Sequence, residues 1–295
     1  MMTSTFPDHP IPPEEFGKSF LRGEFVHIYE QTTNDFKQLA ASDEFQEMAA
    51  GFNEGVTAYN LLFSYQIDEH LVQYVWNDDR NERALEVYMD RQHFIHGLVM
   101  QPAAIDPVGE KEESRQQYRW PVQPGLGWTI VWGGNHPLAN AHHPLSSQRY
   151  AYDLVIQTEG KTYEKSPTYN EHYAAYGQLI YAPAEGTIAE VVDGIPDNEP
   201  GVMNEEKLAG NVVVIYHAPE EYSVLAHLQP GSILVRKGER VSMGKVIGKC
   251  GNSGNSSEPH LHMQLSNRAD FIHGKSISMK FANGCHPIRG DKINE

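Results

Sequence analysis

From Trp128 onward, apolar residues recur in eight short runs broken by turns rich in Gly, Pro, Asn or Ser. The runs cover 128–132, 150–157, 177–181, 186–192, 211–217, 222–228, 245–250 and 261–265. None sustains the 3.6-residue period that buries one face of a helix, and each has the length of a strand. Such runs satisfy their backbone hydrogen bonds only by pairing with one another. Residues 118–290 are therefore expected to form an all-β domain, an antiparallel sheet or sandwich.

The first hundred residues have a different grammar. Pro12-Pro13-Glu14-Glu15 suits a helix start, with Phe16 and Phe20 one turn apart behind it. Phe25, Ile28 and Tyr29 form a second helical stripe. Ser42 reads as an N-cap opening a helix in which Phe45, Met48, Ala49 and Phe52 fall on one face. After Gly55 the period changes to two, and 71–76, 84–89 and 94–100 read as strands. Residues 12–102 thus make an α+β accessory domain, helices packed on an antiparallel sheet. In pattern it resembles the cystatin-like and nuclear-transport-factor-like domains found beside some wall peptidases. His70, His93 and His96 lie in it without ligand spacing and read as surface or turn residues. The polar stretch 103–117 reads as the linker.

Lys plus Arg total 23 against 39 Asp plus Glu, a formal charge of −16. A nucleic-acid or anionic-membrane partner needs a basic surface, so both are disfavoured; a neutral or cationic peptide is not. No apolar run approaches a membrane span. Cys250 and Cys285 are too few for a disulfide framework and read as free thiols. Met1 to Glu15 lacks the basic start and apolar stretch of a secretory leader, and Met1-Met2 reads as a natural start. Localisation stays open; by that reading alone it is cytoplasmic. Oligomeric state is not legible.

The chemistry concentrates in Glu258-Pro259-His260-Leu261-His262-Met263-Gln264. On a strand, His260 and His262 share a face and Leu261 points the other way. A Gly/Asn/Ser loop, 251–257, feeds into this strand. Tyr222-Ser223-Val224-Leu225-Ala226-His227-Leu228 sets an isolated His among apolar neighbours, and Asp153 sits inside an apolar run. A buried carboxylate costs several kcal/mol unless it is paired or bound to a metal. An arginine partner, Arg149 or Arg119, is the plainer alternative for Asp153.

Gly-Asn-Ser-Gly-x-Ser-x-x-Pro-His-Leu-His, preceded by Tyr-x-x-x-Ala-His-Leu, resembles the lysostaphin-type zinc endopeptidases over roughly residues 140–270. The resemblance implies one Zn2+ per chain, with Asp153 and His262 as ligands and His260 and His227 as catalytic residues. It further implies a first ligand four residues before the Asp, but Arg149 stands there. The missing imidazole is expected from the loop upstream: His142 first, then His143, then His136. An extended chain spans the 11 residues from His142 to Asp153 easily. Two His and one Asp leave a fourth tetrahedral position for water, which would attack a peptide bond of peptidoglycan or another peptide substrate. Two other readings stand beside this. One is a degenerate relative that binds or regulates a partner. The other is a barrel-sandwich carrier module, suggested by the turns at 182–186 and 238–244, which leaves Asp153 without a role. Asn211, Ser253 and the tyrosine-rich stretch 163–181 are candidates to shape the pocket. His217 and His273 read as surface residues.

Overall fold

The computed structural model describes residues 9–103 and 112–294. The chain falls into two compact units, residues 1–107 and 108–295. In the first, α1 (Pro13–Leu21), α2 (Phe25–Glu30), α3 (Asn34–Leu39) and α4 (Ser42–Asn53) precede a sheet of four antiparallel strands. These are β1 (Tyr59–Gln66), β2 (Leu71–Asp78), β3 (Arg83–Asp90) and β4 (Ile95–Pro102), each paired with the next. Phe16, Phe20, Ile28, Phe45 and Ala49 of the helices share one core with Trp76, Leu85, Val87 and Met89 of the sheet. Ser42 is the first helical residue and not the cap, because Ala41 holds the extended cap position; the Ser42 hydroxyl accepts from Gln46 Nε2 instead. The short helix α3 has too few residues to show a period. Its signal is Thr33, whose side chain accepts from the Phe36 N–H.

The second unit is built from β5 (Glu113–Tyr118), β6 (Trp128–Trp132), β7 (Tyr152–Ile156), β8 (Leu179–Tyr181), β9 (Gly186–Val192), β10 (Asn211–Ala218), β11 (Glu221–Leu228), β12 (Arg240–Val241), β13 (Val246–Lys249), β14 (Leu261–Ser266) and β15 (Ser276–Phe281). The main sheet runs β12-β9-β10-β11-β14-β15-β5, and β6 joins it through β7. β8 and β13 form a separate pair. Residues 113–117, read as linker, are strand instead: β5 runs parallel to β15. The Glu221 carboxylate accepts from the Arg115 N–H and from the Tyr118 hydroxyl. This strand escaped hydropathy because Glu113-Ser114-Arg115-Gln116-Gln117 contains no apolar residue. Of the rest of the linker, residues 104–111 lie outside the described residues.

β14 is the axis of the sheet. It pairs with β11 on one side; on the other, Leu261–Met263 pair with β7 and Leu265–Ser266 with β15. Leu261, Met263 and Leu265 enter the main core with Tyr152, Leu154 and Ile156 of β7 and Leu225 of β11. By strand alternation, His262, Gln264 and Asp153 take the opposite face, as do Val224 and Ala226, which belong to a separate buried cluster.

Candidate metal centre

The register of two strands makes the first half of the site. Asp153 on β7 lies directly opposite His262 on β14. Opposed residues on one face of an antiparallel pair bring their side chains into contact without any loop having to arrange it. Asp153 Oδ1 stands 2.9 Å from His262 Nδ1 and 3.8 Å from His260 Nε2.

The other carboxylate oxygen takes an imidazole from outside the sheet. Between β6 and β7 the chain makes an irregular loop, and from it His142 Nε2 reaches to 2.8 Å of Asp153 Oδ2. Among the described residues, His142, Asp153 and His262 form the group of potential ligands whose donor atoms all lie within 4.8 Å of one another. His143 and His136 do not join it. His136 lies beside Tyr152, His286 and Pro287 on a cavity of about 250 Å³, and its Nδ1 accepts from the Leu138 N–H. Arg149 turns its Nε to the His143 carbonyl at 3.1 Å.

His227 arrives by a device that strand alternation does not foresee. Between the pairs Asn211↔Leu228 and Val213↔Leu225, β11 carries one residue more than β10, which is a β-bulge. His227 has φ +61°, in the left-handed region. Regular alternation would place His227 with Leu225 in the main core. The bulge sets its ring against those of His260 and His262 instead, with centroids 4.7 Å and 5.8 Å away.

Hydrogen bonds assign the ring nitrogens. Gln264 Nε2 donates to the Ser147 carbonyl, so its Oε1 is the atom facing His262 Nε2 at 2.9 Å. His262 therefore carries its proton on Nε2 and turns the Nδ1 lone pair to Asp153. Two acceptors 2.9 Å apart fit together only around a proton or a metal cation. His227 Nδ1 donates to the Ser253 carbonyl at 2.8 Å, and His260 Nδ1 to the Glu258 carbonyl at 2.9 Å with Ser256 Oγ at 3.1 Å. Both rings are left with Nε2 lone pairs.

The electrostatics agree with this picture. Burial pushes the Asp153 carboxyl up, but the charges of His142 and His260, with the bond from His142, hold it well below the usual carboxylate range. Burial opposes the charged form of His142, yet Asp153 and a bond from the ring to the Gln148 side chain keep that imidazole above its ordinary value. Burial, then the neighbouring His260 and His262, drive His227 well below the imidazole range, so it is neutral at pH 7.

Gln264, Ser256 and Asn252 were not foreseen. All three are fully or almost fully buried. Ser256 Oγ donates to Asn252 Oδ1 at 2.7 Å, and Asn252 Nδ2 to Asn170 Oδ1 at 3.0 Å. Gln264 continues the alternation of His260 and His262, a readable cue. Asn211 and Ser253 support the floor: Ser253 Oγ donates to the Leu228 carbonyl and accepts from the Asn211 N–H. In the tyrosine-rich stretch, Tyr173 is buried against Tyr163, while Tyr169 is exposed. Thr162 in the segment before it donates to Glu258 at 2.8 Å. His217 is half-buried between the Glu185 carbonyl and Ser223 Oγ, whereas His273 is exposed. Both cysteines are free.

Residues 171–277 match the family model described as Peptidase family M23. That span includes His227, His260 and His262 and begins after His142 and Asp153. A stretch of 107 residues is 35% identical to the peptidoglycan DD-endopeptidase ShyA of Vibrio cholerae, covering 35% of this chain and 23% of that protein. A stretch of 102 residues is 30% identical to an uncharacterized metalloprotease of Haemophilus influenzae, covering 35% of this chain and 18% of that one. The chain thus spans less than a quarter of these relatives. Among solved structures, a zinc-containing peptidase from Vibrio cholerae is similar at 19% identity and a TM-score of 0.34, over 70% of this chain and 55% of that one. The chain carries, at residues 171–277, a domain of peptidase family M23.

Proposed function

We propose that the second unit is a zinc-dependent endopeptidase acting on bacterial cell-wall peptides. The observation that carries this reading is one buried carboxylate gripped by two imidazoles on separate elements, with two further imidazoles packed beside it. His142 Nε2, Asp153 and His262 Nδ1 are a hard-borderline N/N/O donor set of the kind that holds catalytic zinc with a position left open. Zinc held there would supply a Lewis acid and acidify a bound water.

The remaining steps belong to the chain's own groups. Ser253 and Glu258 carbonyls hold the Nδ1 protons of His227 and His260, which leaves two Nε2 atoms to accept a proton from the attacking water and return it to the departing amine. His227 is suited to the accepting role because it is neutral at pH 7. Gln264 fixes the ring of His262, and the Ser256–Asn252–Asn170 chain braces His260.

The likeness to a peptidoglycan endopeptidase supports the wall-peptide substrate. The test is zinc content and digestion of purified peptidoglycan, measured on the same samples of wild type and Asp153→Ala. Stoichiometric zinc and released peptides in wild type, with both lost in the variant, is the expected result. Zinc without hydrolysis of any peptide would favour a degenerate binding module, and neither would end the reading.

A further inference from the structure

The first ligand stands on a loop, and a loop does not have a strand's register to aim it. We propose that Asn140 supplies the aim: it is a positioning residue that fixes His142 against Asp153. The proposal rests on His142 being a ligand.

Asn140 is fully buried within the loop between β6 and β7. Its side-chain Nδ2 lies 3.0 Å from the Gly134 carbonyl on the outgoing leg. The same nitrogen lies 3.1 Å from the carbonyls of Arg149 and Ala151 on the returning leg. Its Oδ1 accepts from the His142 backbone N–H at 3.0 Å, and its own carbonyl accepts from the His143 N–H at 3.0 Å. One amide thus pins both legs of the loop and the backbone of the ligand itself. Ala151, one of its anchors, lies two residues before Asp153. His142 and Asp153 are therefore referred to the same buried point, although 11 residues separate them. The outgoing leg is made to fit: a Cβ at Gly133 would fall 2.3 Å from the Tyr152 ring, and Gly134 has φ +98°.

An amide has two donor protons and one acceptor oxygen. Alanine removes all of these. Serine keeps an oxygen able to accept from the N–H two residues on, but loses the donors to both legs. The experiment measures zinc affinity by chelator competition in Asn140→Ala, Asn140→Ser, His142→Ala and Asn140→Ala/His142→Ala, with amide hydrogen exchange on the zinc-free proteins. Expected is a loss of about 10–100-fold in affinity for Asn140→Ala, as for other residues that orient ligands, and a smaller loss for Asn140→Ser. In the His142→Ala background, Asn140→Ala should cost nothing more, because its only route to the metal is gone. Zinc-free Asn140→Ala should exchange the amides of His142 and His143 faster, with those of β7 and β14 unchanged. Affinity held within about twofold in Asn140→Ala, or an equal loss with and without His142, overturns the proposal. So does unchanged exchange at His142. If wild type takes up no zinc, the functional reading fails, and the exchange data still decide whether Asn140 fixes the loop.

Discussion

The site has two halves made by different physics. Asp153 and His262 face each other because β7 and β14 are in register, and that register is enforced by Leu154, Leu261 and Met263 on the far side of the same strands. A slip of one residue would turn every side chain over and bury the carboxylate in the apolar core. His142 has no such enforcement and depends on one buried amide and a series of turns. The strand half is thus protected by the stability of the whole domain, while the loop half is protected only locally.

The difference is open to direct attack, beginning with the strongest case. Asp153→Ala or His262→Ala removes a group from the register-locked half; zinc should vanish and hydrolysis fall to background, as read by metal analysis and peptide release. His260→Ala and His227→Ala come next: each should keep its zinc and lose about 10²–10⁴-fold in hydrolysis. His142→Ala should weaken zinc binding while the melting temperature of the zinc-free protein stays near wild type, and His143→Ala should bind normally. Zinc retained in both loop variants would remove the loop from the centre altogether. Gln264→Leu, which frees the His262 ring without touching a ligand, should cost about 10–100-fold in affinity.

The smallest effect concerns pH. Burial, then the neighbouring His143, pushes the His136 imidazole down to about 4, and its Nδ1 accepts from Leu138 in the same loop. An unfolded His136 titrates near 6.5. Between those values the unfolded chain binds more protons than the folded one, so stability falls as pH drops from about 6.5 to about 4 and levels below that. Hydrogen exchange in 134–149 should rise across this window, with β7 and β14 amides unaffected, and His136→Gln should flatten the response. Exchange that rises equally in strands and loop would erase the contrast between the two halves.

The same contrast explains what was legible beforehand. Asp153 and His262 stand on strands whose apolar partners announce the face, and His260 lies one residue before β14, so spacing alone put the two histidines on one side. The displaced ligand had to be guessed among three histidines, because hydropathy says nothing about which residue of a turn-rich loop points inward. Asn140 lies in the same loop, and its buried bonds to carbonyls nine and 11 residues on have no local signature. β15 was a different kind of miss: Ile277, Met279 and Phe281 do alternate, and all three are buried. β5 carried no signal, since its polar residues pair at one end of the sheet through backbone and Glu221. In the first unit, β1 went unassigned although the period had changed, because a bulge between Leu61 and Phe63 breaks its alternation.

The left-handed backbone at His227 has an evolutionary consequence. A residue with a Cβ is held there at a cost of roughly 1–2 kcal/mol, which glycine would avoid and asparagine would reduce. If the imidazole serves peptide cleavage, as proposed, it is held against the chain's own conformational preference, and that backbone cost is expected to ease where the role is lost. On the proposed function, a relative that keeps the fold but carries Gly or Asn at this position is expected not to cleave peptides.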